Sequence, residues 1–101
     1  MTRVELQPKL LGETRNYTFD FSSLLAAAEP ISTQSVTATV YSGTDAAPSS
    51  IVSGAATASG AIVTQAITGG TLGVLYELLC QITTSASQTL QLVGILAVIP
   101  D

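Results

Sequence analysis

The chain of 101 residues has no histidine, no tryptophan and a single cysteine. Without histidine there is no Ser–His–Asp or Cys–His constellation, and the usual proton shuttle and commonest metal ligand are missing. One cysteine, Cys80, excludes an internal disulfide and any multi-cysteine metal site. Its neighbours Leu78, Leu79 and Ile82 mark it as a buried thiol acting as a small hydrophobe. Charge is scarce as well, at 10% of residues, and only three are basic against seven acidic. Three bases cannot neutralise a phosphate track, so no nucleic-acid partner is expected. The longest apolar run, Val93 to Ile99, is far short of the ~20 residues a membrane helix needs. No apolar stretch follows Met1-Thr2-Arg3-Val4-Glu5, so no signal peptide is read there, and the Asn16-Tyr17-Thr18 sequon is a chance match.

What remains is apolar and hydroxylic. Hydrophobic residues make up 47% of the chain, too many for a disordered segment. Serine and threonine supply 25 residues, a coat that buries at lower cost than charge. Arg3, Lys9 and Arg15 lie in the first 15 residues, while the body carries only acids: Asp20, Glu29, Asp45, Glu77 and Asp101. A free monomer ordinarily mixes both signs on its surface. This composition fits a protein covered by other protein.

Apolar periodicity is two throughout. Tyr17, Phe19 and Phe21 share one face of a strand, as do Val36, Ala38 and Val40 within Ser35 to Tyr41. Short strands are expected at Ser50 to Ser53 and Ala61 to Ile67. Val74, Tyr76, Leu78, Cys80 and Ile82 lie on one face of another strand, and Leu90, Leu92, Leu96 and Val98 on one face of the last, Gln88 to Val98. Turns fall at Ser42 to Asp45, Pro48 to Ser50, Gly69 to Gly73 and Thr83 to Ser87, with a short helical turn through Leu24 and Leu25. Six or seven short strands at 8–12 residue spacing predict an all-β antiparallel sandwich over residues 13–101 with an extended N-terminal arm over residues 1–12, and the glycine-rich turn before Val74-Leu75-Tyr76 fits an Ig-like one. The arm is expected to order only against neighbours. Tyr76, just after a glycine-rich turn, reads either as a tyrosine corner or as an ordinary core aromatic.

Tests for chemistry fail. Gly69-Gly70-Thr71-Leu72-Gly73 lacks the Lys-Ser/Thr of a phosphate loop, the outward Asp20 and Glu77 make no glycosidase pair, and no oxygen cluster suits calcium. No catalytic residue, cofactor, metal or small-molecule ligand is expected. The candidate site is a surface. Parity turns Leu79, Val93, Ile95 and Ile99 to the face opposite the core, to be covered by a neighbouring subunit or, within the chain, by the arm or the Ala-rich segment Leu24 to Ala28, and Arg3 and Lys9 on the arm would meet acidic neighbours.

Tyr17-Thr18-Phe19-Asp20-Phe21-Ser22, then Leu24-Leu25 and Ile31, the alternating Ser35 to Val40, the glycine turn before Tyr76, and Thr83-Thr84 leading into Gln88 resemble one family. It is that of the small Ig-like structural proteins of tailed bacteriophages described as fibre–tail adaptors. The resemblance runs over about residues 14–98, although Phe21 stands where the family often has Trp and Ala86-Ser87 replaces a hairpin glycine. It implies a non-enzymatic virion component, made in the host cytoplasm and present in several copies at the portal–tail–fibre junction. Its partners would be portal, tail, fibre or capsid subunits and copies of itself. A capsid decoration protein, or a carbohydrate- or host-receptor-binding module presenting Tyr41 and Tyr17, are the alternatives.

Overall fold

The computed structural model describes residues 2–22, 24–25 and 30–100, with side chains described from residue 6 onward. The Ala-rich segment Leu24 to Ala28, one of the covers considered for the last strand, therefore lies partly outside the described residues. The elements are β1 (Thr2–Glu5), β2 (Lys9–Leu10), β3 (Thr14–Asp20), β4 (Ile31–Ser42), a 3-10 turn (Pro48–Ile51), β5 (Val52–Ser59), β6 (Ile62–Thr68), β7 (Leu75–Thr84) and β8 (Thr89–Ile99). One sheet runs β1-β8-β7-β4, with β2 also on β8, and the other runs β3-β6-β5. β1 and β2 fill a single edge position, so the sandwich has seven strand positions. Its pairing is Ig-like: β3, β6 and β5 form one layer, and β4, β7 and β8 the other.

The alternating patterns resolve as the two inner faces. Phe19, Phe21, Val63, Ile67, Tyr76, Leu78, Cys80, Ile82 and Leu96 are fully enclosed, with Val36, Ala38, Leu92 and Val98 beside them. In β7 every second residue from Tyr76 to Thr84 is buried, the signature of a central strand with one face on the core. Burial alone pushes the Cys80 thiol up to about 12, so it is packing material and no nucleophile.

β5 is longer than the short strand expected. Residues 54–59, Gly-Ala-Ala-Thr-Ala-Ser, carry no apolar alternation because they form an exposed edge. The β5–β6 register shifts between Ser53 and Thr57. There the buried Gln65 replaces ladder bonds: its Nε2 donates to the carbonyls of Ser53, Gly54 and Ala66 at 2.9–3.1 Å. The chain then reverses at Gly60-Ala61, with Gly60 at a φ of +60° in the first central position of the hairpin turn. The β7–β8 turn places Ser87 at a φ of +63°, the conformation a glycine would hold more cheaply.

The arm is paired within the single chain. Thr2 to Glu5 run parallel to Leu92–Ile95, and Lys9 and Leu10 lie beside Val98 and Ile99. Between the two pieces Leu6 drops over Gly94, where an added Cβ would stand 2.6 Å from Leu6 Cδ1. Tyr17 Oη donates to the Gln7 carbonyl at 2.9 Å, and Arg15 Nη1 to the Pro8 carbonyl at 3.3 Å. Gly94 is thus the socket of a strap. Gly94→Ala should unseat Leu6 at a cost of about 1–3 kcal/mol. Amides of residues 2–10 should then exchange about tenfold faster or more, while β6 and β7 keep their protection. Unchanged exchange in the arm would contradict the socket.

Candidate interaction surface

The surface is built on the outer face of the β1-β8-β7-β4 sheet. Register sets its rows. Val93 lies beside Leu79, which lies beside Thr37; Ile95 lies beside Glu77, then Thr39; Ala97 lies beside Leu75. On the other flank of β8, Arg3 is in register with Val93, Glu5 with Ile95 and Leu10 with Ile99. The result is an apolar stripe along β8, ending in the exposed Leu10, Leu11 and Ile99. Leu11 N–H closes that end on the Ile99 carbonyl at 2.9 Å. At the other end Gln91 Nε2 donates to Gln81 Oε1 at 2.8 Å, and the surface turns polar.

The expected site residues fall unequally on this surface. Leu79 and Ile95 are half-buried and Ile99 is exposed on the stripe. Val93 is only 4% exposed in the single chain, outside the main core cluster, hemmed between β1 and Leu79. Arg3 is placed by its backbone at the sheet edge beside Val93.

Lys9 requires a correction. It was expected to reach an acidic neighbour, but its pairing with Val98 turns it to the inner face, where it is fully enclosed. Its Nζ donates to the Leu10 carbonyl at 2.7 Å and the Leu11 carbonyl at 3.1 Å. The four-carbon stem fills the open end of the core, and the two carbonyls offset the lost hydration. Leu10 and Leu11 belong to the stripe without having been singled out. Only the parallel register of the arm reveals them, and a short Lys-Leu pair carries no signal of it.

At the start of β7, the same end of the sandwich as Val98, the tyrosine corner is present. Tyr76 Oη accepts from Thr71 N–H at 2.8 Å and donates to Asp45 Oδ2 at 2.5 Å. Asp45 Oδ1 accepts from Ala47 N–H at 2.9 Å, so one carboxylate joins the β4 exit loop to the glycine turn. Gly70, at a φ of +101°, is needed there, since a Cβ would lie 2.8 Å from Val98 Cγ2. The Tyr76 bond, then the Ala47 N–H, hold Asp45 below its ordinary pKa, and burial, then the Asp45 bond, push Tyr76 above its own. The pH window follows. Asp45 contributes stability above its unfolded value of 3.8, lost as pH falls through its lower folded value. Tyr76 contributes below 10.0, and that is lost as pH rises through its higher folded value. Tyr76→Phe should cost about 1–2 kcal/mol at neutral pH. Melting temperatures from pH 2 to 11 should show both limbs flattened in the variant. Limbs identical to the parent's would contradict the assignment.

Among the described residues no three His, Cys, Asp or Glu side chains stand together as a metal site. An Ig-like sandwich with an enclosed core, a fastened arm and an apolar outer stripe is a contact-making module. Residues 9–96 match the family described as podophage GP4 fiber-tail adaptor protein gp77, and the chain belongs to that family. It is a phage fibre–tail adaptor structural protein, and the family implies a virion component that contacts other virion proteins. Comparison with the curated proteins returns no match.

Proposed function

We propose that this protein is a non-enzymatic spacer at the portal–tail–fibre junction, incorporated in several copies, that grips a neighbouring virion protein with the outer stripe of β8. Leu79, Ile95 and Ile99, joined by Leu10, form the contact, and the backbone places Arg3 at the adjoining edge in register with Val93. Residues 1–12 act as the strap and residues 13–101 as the body it fastens. The observation that carries this reading is the stripe itself. Ile99 and Leu10 are 38% and 37% exposed, at the end of a strand whose other face is already in the core. Contiguous apolar surface of this kind marks an interaction site. The load path is mechanical: sheet hydrogen bonds transmit force from the fastened arm through β8 and β7, and no bond is made or broken. A reconstruction of the particle tests the placement. Density for several sandwiches between tail and fibre, with β8 against another chain, is the expected result. Sandwiches on the capsid lattice, or with β8 facing solvent, would overturn it.

A further inference from the structure

The two sides of the sandwich are guarded differently. On one side lie the β1/β2 edge and β3. Those segments carry Arg3, Glu5, Pro8, Lys9, Arg15 and Asp20, and Tyr17 and Arg15 stitch the arm to β3. Charge, proline and a covering strand are the devices that keep sheet edges from pairing with other chains. On the other side lie β4 and β5, each the terminal strand of its sheet. The two are near each other, with Gln34 Nε2 donating to the Ala56 carbonyl at 3.2 Å. β4 has 12 residues and β5 has 8, and none is charged or proline. Between Thr33 and Val40, β4 pairs with β7 without a bulge. A straight, uncharged edge of that length is a template for another strand.

We propose that two copies of this chain join along this side, β4 antiparallel to β4 about a twofold axis, with the β5 edges brought together in the second layer. A second copy fits better than an unrelated strand. In a twofold contact the residue on the axis meets its own counterpart, so a charge there would face a like charge. An edge free of charge is what self-pairing requires. An unrelated partner of a chain with net charge −4 carries no such restriction and would be matched by basic residues. Opposed residues must also share a face, which puts the axis through a residue. An axis at Thr37 sets Ser35 against Thr39 and Val36 against Ala38, keeping hydroxyls outside and methyls inside.

The proposal does not depend on what the β8 stripe grips, and its test keeps the two apart. Sedimentation of the purified full chain should show a dimer. Thr37→Lys and Thr37→Glu, both at an exposed position, should each sediment as monomers with the parent's circular dichroism, and an equimolar mixture should recover the dimer. Thr37→Arg provides a second cation on the axis should Thr37→Lys fold poorly. Ile95→Asp, on the stripe, should stay dimeric. A monomeric parent, a dimer that survives the charged substitutions at Thr37, or a dimer lost only in Ile95→Asp would each overturn the proposal.

Discussion

Phe19→Ala should lower the stability of the domain by about 3–5 kcal/mol. Phe19 is fully enclosed near the end of β3, in register with Val63 of β6, and the chain has only two phenylalanines and no tryptophan. Few large side chains fill the gap between the layers, so none nearby can expand into the space. A domain of this size is expected to hold roughly 5–15 kcal/mol in all. The melting temperature should fall by on the order of 15–25 °C. Thr18→Ala, one position away and facing solvent, should change stability by less than about 0.5 kcal/mol. Thermal denaturation of both variants checks the pair. A Phe19→Ala protein as stable as its parent would mean that the core is not where this packing puts it.

That core was legible because burial on one face forces alternation, and alternation survives in the sequence. Val74 to Ile82 shows it most plainly, since β7 is central and each inward position had to be apolar. Gln65 sits at an inward position between Val63 and Ile67, and only the β5 bulge explains why a polar side chain is tolerated there. Edge strands obey a weaker rule. Little in Gly54 to Ser59 needs to alternate, because only Ala56 is half-buried against the core, so nothing in the sequence marks the strand beyond Ser53. The arm leaves no such pattern either: its hold on the body comes from a parallel register, one leucine over Gly94 and two bonds to backbone carbonyls. Lys9 shows the limit of reading charge as exposure, since its partners are carbonyls of the next two residues.

The stripe followed from parity alone. If Leu92, Leu96 and Val98 face the core, Ile95 and Ile99 cannot. What parity did not settle was which stripe residues remain accessible, and here Val93 and Ile95 differ. Charge at Val93 would enter a place already closed within the single chain and would unfold it. Ile95 is half-buried and in register with Glu77 on β7 and Glu5 on β1, so Ile95→Asp places a carboxylate between two acidic positions at a cost of about 1–2 kcal/mol. Ile95→Lys sets a cation beside Glu77 instead and should leave the isolated domain at least as stable. Against a partner that excludes water, either charge is unpaired and costs several kcal/mol, enough to abolish docking.

The most direct measurement is therefore the incorporation of Ile95→Asp and Ile95→Lys into particles, read beside the melting of each purified variant. Folded domains missing from assembled particles are the predicted result for both signs of charge. Folded variants that enter particles at the parent's level would remove the β8 face from the interface and contradict the account.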